Sequence, residues 1–155
     1  MKKYFKFLFV LMFVFLLAGC KVGKNVTKCS LVSDQSASNY VLKSDYKIYS
    51  SKDIVKQVET VETVESKNNT ILAYFEDQLK KQYKSYNDTY KGYKYEVTNK
   101  DGKVVAKVTI DYTKMDLNKF VKDNPAMKSY VDKNNNITLK GIKTMYQSMG
   151  AKCDK

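Results

Sequence analysis

Val104, Ala106, Val108, Ile110 and Tyr112 take every second position along one stretch of this chain, and an extended backbone places all of them on a single side. That spacing commits Lys103 to Tyr112 to a half-buried strand. Asn99-Lys100-Asp101-Gly102 precedes it as a hairpin turn, with Gly92 to Thr98 as the first arm. A second hairpin is predicted upstream. Tyr40 to Tyr49 alternates imperfectly, and Asp53 to Glu65 is rich in β-branched residues, with Val58, Thr60, Glu62 and Val64 on one face and Ser50-Ser51-Lys52 as the connection. Val55, Val58, Val61 and Val64 also recur every third residue, so a helix competes there; β propensity favours the strand.

Between the hairpins, Asn68-Asn69-Thr70 offers N-cap side chains, and Ile71, Leu72, Phe75, Leu79, Gln82, Tyr83 and Tyr86 follow at helical spacing to about residue 86. Asp116 is suited to cap a short turn through Leu117, Phe120 and Val121, and Pro125 permits a restart carrying Met127, Tyr130 and Val131. A last helix is predicted from about Leu139 to Met149, with Ile142, Met145, Tyr146 and Met149 inward and Gly150 as its stop. The order ββαββαα implies an α+β domain: an antiparallel sheet of about four strands with helices packed on one face.

The start of the chain is of another kind. Met1-Lys2-Lys3 and Lys6 are basic, and Phe7 to Ala18 is an unbroken apolar run, too short for the roughly 20 residues that span a bilayer. Leu17-Ala18-Gly19-Cys20 then matches the lipobox of a bacterial lipoprotein precursor, in which the cysteine thiol takes a diacylglyceryl group and becomes the N-terminus after cleavage. The expected organisation is a signal peptide over 1–19, a lipidated N-terminus and polar tether over 20–39 with a short strand near Cys29 to Val32, and one α+β domain over 40–155. The implied location is extracytoplasmic, anchored to the bacterial cell membrane through Cys20. Each buried methylene contributes about 0.8 kcal/mol, so two or three acyl chains hold such a domain firmly.

Cleavage there would take away Lys2, Lys3 and Lys6, leaving 25 Lys against 16 acids and a formal charge of +9. It would also remove five of the seven Phe, so the core must be built from Val, Ile, Leu, Met and Tyr. Cys29 and Cys153 remain, 124 residues apart, in a compartment where disulfides persist. Pairing them is the favoured reading; two free thiols or an intermolecular bond are the alternatives, because sequence does not fix connectivity.

What the composition excludes is broad. There is no His in 155 residues, which removes Ser-His-Asp and Cys-His mechanisms and imidazole-based metal sites. Every basic residue is Lys, so no guanidinium fork exists for bidentate phosphate recognition, and nucleic acid is not an expected partner. Asp132-Lys133-Asn134-Asn135-Asn136-Ile137 opens like a calcium loop, but Ile137 stands where Gly is needed and Lys143 where a bidentate Glu belongs, so no metal site is predicted.

The lipobox, Thr109-Ile110-Asp111-Tyr112 followed by Lys114-Met115-Asp116-Leu117, and the closing Ile142-Lys143-Thr144-Met145-Tyr146-Gln147-Ser148-Met149-Gly150-Ala151-Lys152-Cys153 resemble the YehR-like family of small bacterial lipoproteins. The resemblance implies the fold and location above. It brings no catalytic residue, since that family has no assigned activity.

The remaining candidates are weak ones. Tyr83, Tyr86, Tyr90, Tyr93 and Tyr95 cluster with Lys91 and Lys94, among other lysines, as a patch that either packs in the core or grips sugars or an anionic polymer; core packing is favoured. Glu62 with Glu65, or Asp111 with Asp116, are the carboxylate pairs open to catalysis, though their spacing does not mark an active site. The reading reached is a non-enzymatic, membrane-anchored binding or envelope-associated module. It needs no cofactor beyond the acyl modification on Cys20, and its partners would be membrane lipid and an envelope protein or anionic cell-wall polymer. A small envelope enzyme using carboxylate or Lys chemistry, or an accessory solute- or polymer-binding protein, is the alternative.

Overall fold

The computed structural model describes residues 25–154, so the expected signal segment and Cys20 lie outside the described residues. Three long strands come first: β1 (Asn25–Gln35), β2 (Tyr40–Ser51) and β3 (Ile54–Glu65). Then follow α1 (Asn69–Thr89), β4 (Tyr93–Lys100), β5 (Lys103–Asp111), α2 (Leu117–Asp123), a 3-10 turn over Pro125–Tyr130, α3 (Leu139–Ser148) and β6 (Lys152–Cys153). The strands form one antiparallel sheet in the order β4-β5-β3-β2-β1-β6.

The class expected from sequence, an antiparallel sheet with helices, is what is found, but the sheet has six strands and not four, and the element order differs accordingly. The polar stretch expected to be a tether over 20–39 is, from Asn25, a strand paired with β2 along its whole length. Cys29 is buried and Leu31 half-buried, while Lys28, Ser30 and Val32 point the other way. A strand covered on one side near a sheet edge needs few apolar residues, and so resembles a tether in composition.

Turn chemistry fixes the registers. Asp101 and Gly102 both have positive φ, as a tight two-residue hairpin requires, and Lys52 turns β2 into β3 with φ 54°. Gly92, at φ +88°, lies so close to the Asp111 carbonyl that a Cβ there would collide with it, which explains glycine at the entry to β4.

The helices obey their caps. Asn68 Oδ1 accepts from the Thr70 and Ile71 amides, and α1 then runs about one turn beyond the predicted residue 86. Asp116 caps α2 and Thr138 caps α3. Pro125 restarts the chain as a 3-10 turn ending at Tyr130, with Val131 bridged to Ile137 instead. Met149, expected inward, is half exposed, because α3 ends at Ser148 and the chain turns away at Gly150.

Register puts Tyr46, Ile48, Val58, Thr60, Glu62, Val64, Val104, Ala106 and Val108 on one face of the sheet. There Tyr46, Ile48, Val58, Ala106 and Val108 meet Tyr83 of α1 and Ile142 and Tyr146 of α3 in the main core, while Val64 and Val104 form a smaller cluster with Leu72 of α1. The opposite face carries Lys47, Glu59, Thr63, Val105 and Lys107, with Val32 and Val61 exposed. Among the described residues no helix is long and apolar enough to cross a membrane.

Candidate functional site

Glu62 is the residue with unusual chemistry. As an even-numbered position of β3 it shares the covered face with Thr60 and Val64, opposite Ser44 on β2 and Ala106 on β5. The Tyr83 hydroxyl of α1 donates to its Oε2. Burial raises the carboxyl above its usual range, and the Tyr83 hydrogen bond only partly offsets this. Burial and the nearby Glu62 charge in turn push the Tyr83 and Tyr93 hydroxyls up, so both stay protonated. The tyrosine layer continues to the other side, where Tyr46 of β2 stacks on Tyr146 of α3 at 4.0 Å between ring centroids.

The predicted tyrosine cluster forms, but it faces inward. Tyr83, Tyr90 and Tyr93 are buried and Tyr86 and Tyr95 half-buried, with Tyr86 and Tyr93 stacked at 5.5 Å. The Tyr90 hydroxyl is held between Asp123 and Asn124, each at 3.1 Å. These rings are core, as a chain with two Phe left for its domain requires. Their lysine companions Lys91 and Lys94 are exposed. Lys94, with Tyr95, Glu96 and Val97, forms one wall of an open cleft of about 740 Å³ whose other wall is Lys80, Lys81, Lys84 and Asn87 of α1. Three of those lysines pair along their own helix, with Glu76, Asp77 and Asp88, which mutes the cleft's positive charge.

The cysteines meet. Cys29 and Cys153 are opposite one another in the β1–β6 register and are joined by a disulfide. Asp154 continues the pairing through its amide to the Lys28 carbonyl, and Ala151 behind it is buried.

The proposed carboxylate pairs do not form. Glu62 and Glu65 are an odd number of residues apart on one strand and point to opposite faces. Glu65 instead takes Lys43 and Lys103, each at 3.0 Å, and these hold its carboxyl below the usual range. Asp111 is buried, which pushes its carboxyl up, but Lys114 and the Thr113 hydroxyl and amide outweigh burial and keep it low. Asp116 is occupied as a cap.

In the calcium-like loop, Asp132 Oδ1 accepts from the Asn134 and Asn136 amides and Oδ2 from the Asn136 side chain, so both oxygens serve the turn itself. Among the described residues no group of three His, Cys, Asp or Glu is placed to hold a metal ion.

Comparison with known proteins adds a family and a distant structural likeness. Residues 31–152 match the model of a family described as a protein of unknown function, DUF1307. Among curated proteins none matches. A solved structure described as the NMR structure of a protein from Streptococcus pneumoniae TIGR4 is similar at 14% identity, covering 84% of this chain and 87% of that one, with a TM-score of 0.46.

Proposed function

The chain belongs to this family of proteins of unknown function, and we propose that it is a lipid-anchored extracytoplasmic module that binds another component of the cell envelope without catalysing a reaction. The observation that carries the proposal is the Cys29–Cys153 bridge, which ties the strand nearest the lipobox to the end of the domain. Such a bridge persists outside the cytoplasm and is rare within it. Leu17-Ala18-Gly19-Cys20 supplies the matching export and anchoring signal, and the likeness to YehR-like lipoproteins points the same way.

The test is fractionation of cells expressing the full chain or its Cys20→Ser variant, with intact mass of the membrane-bound product. The wild type should begin at an acylated Cys20, and the variant should be released or remain as uncleaved precursor. A processed, membrane-bound variant indistinguishable from wild type would refute the anchor.

The competing reading, an envelope enzyme, draws on Glu62, whose raised carboxyl and Tyr83 partner are the kind of pairing acid–base chemistry uses. Glu62→Gln separates the two. A structural carboxylate changes only the pH dependence of stability, whereas a catalytic one takes turnover with it.

A further inference from the structure

The lysines are not scattered evenly in space, although they are in sequence. Asn25 lies opposite Ser50, so the chain enters the sheet at the end that carries the β2–β3 turn. The start of α3 is at that end too: the Leu139 amide donates to the Asp53 carbonyl and the Lys140 amide approaches Asp53 Oδ1. The loop from Val131 to Ile137 joins it through the Val55 amide on the Ile137 carbonyl, and the α1–β4 loop joins it through Gly92 against Asp111.

This end therefore presents Lys52, Lys91, Lys133 and Lys140, all exposed, and among the described residues none of them forms an ion pair. One carboxylate here, Asp53, is exposed beside Lys52 and the Lys140 amide without an ion pair among the described residues; the others are committed, Asp111 to Lys114, Asp123 to Lys119, Asp116 to its cap and Asp132 to its turn, so the four lysines outnumber it. The opposite end has fewer unmatched lysines: Lys43 and Lys103 share Glu65 and Lys100 lies near Asp101, which leaves Lys67 without an ion pair among the described residues.

We propose that the end of the sheet bearing Lys52, Lys91, Lys133 and Lys140 docks on the anionic lipid headgroups of the membrane that holds the protein, so that the domain stands upright. The proposal rests on the anchoring read from Cys20. From Cys20 to Asn25 is five residues, a reach of at most about 18 Å, whereas a 12-residue strand extends about 40 Å. The anchor thus lets the lysine-bearing end, and not the far end, approach within the roughly 10 Å at which ammonium groups feel an anionic surface. Lying flat on the open face gains less from charge, because there Lys43 and Lys103 are matched with Glu65, Lys107 with Glu96, and Lys47 stands opposite Glu59, leaving Lys28 beside them unmatched among the described residues.

The test is an amine-reactive footprint of the lipidated full chain, read by mass spectrometry, in vesicles of phosphatidylcholine alone or mixed with phosphatidylglycerol. At low salt, labelling of Lys52, Lys91, Lys133 and Lys140 should fall several-fold only in the mixed vesicles and recover at high salt, with Lys67 and Lys103 at the far end and Lys47 and Lys107 on the open face unchanged. The double variant Lys52→Glu, Lys140→Glu, at exposed positions, should restore labelling of Lys91 and Lys133.

Equal labelling in both vesicle types, or protection of Lys47 and Lys107 instead, overturns the docking while leaving the anchor intact. Equal protection on neutral vesicles by soluble poly(glycerol phosphate) assigns the lysines to a wall polymer and also overturns it. An unmodified Cys20 in protein that does not stay with vesicles removes anchor and docking together.

Discussion

Glu62 and Glu65 sit on the same strand, yet their carboxyls are displaced in opposite directions: the first up, by burial, and the second down, by Lys103 and Lys43. The difference belongs to the faces of the sheet. One face lies under α1 and α3, where a charge must be desolvated and Tyr83 is its partner; the other is open, and Lys43 and Lys103 reach Glu65 there. The same side chain is a cost on one face and a mild asset on the other, decided by the parity of its position.

The largest way to test this contrast is to release the edge of the covered face. Cys29 is on that face, and Cys153→Ser opens a loop of 124 residues, which should lower stability by about 4 to 5 kcal/mol by the chain-entropy argument. Urea denaturation of the oxidised wild type and the variant measures it. Next, Ile142→Ala in the fully buried layer should cost about 2 to 5 kcal/mol, while Val61→Thr on the open face should stay within about 0.5 kcal/mol. Equal losses would mean that the open face is covered in solution.

Smaller still is Tyr83→Phe, which leaves Glu62 half-buried without its donor and should cost about 1 to 3 kcal/mol at neutral pH, less in acid. The pH signs are the finest test. Because the Glu62 carboxyl is raised, its favourable contribution is complete below the ordinary value of 4.5 and is lost as pH rises through its folded value. Glu62→Gln should therefore flatten that decline. Because the Glu65 carboxyl is lowered, its contribution is present above 4.5 and lost as pH falls, so Glu65→Gln should remove a small, salt-sensitive loss in acid. Stability curves of both variants against pH, at low and high salt, check the two signs together.

Much of this was legible from residue order, for identifiable reasons. The alternation of β5 and the inward set Val58, Thr60, Glu62 and Val64 were readable because one face of each strand is buried and the period of two is strict. N-caps announced α1 and α2, and apolar spacing with Gly150 as a stop announced α3, whose Thr138 cap was not read. Of β1 only the short piece near Cys29 to Val32 was readable, because lysines and serines on the open side dilute Cys29 and Leu31, and β6 was hidden because two residues carry no period at all. The tyrosine cluster was visible as a cluster, and its packing in the core was the favoured reading because two Phe leave Tyr as the available large residue. Glu62 had a usable signal: an acidic residue in register with valines on a face that must be covered. The contrast between lysine-bearing ends had none, since Lys52, Lys91, Lys133 and Lys140 are brought together by loops far apart in the chain.

The bridge between the first and last strands also has a mechanical meaning. A pull applied between Asn25 and Asp154 reaches Cys29 after four residues and leaves through Cys153 one residue from the other end. Tension would run through the sulfur–sulfur bond, and the 124-residue span between the cysteines would bear almost none of it. A domain built this way keeps its shape under such a pull for as long as that bond is oxidised, and a reductant passes the load to the strand pairing instead.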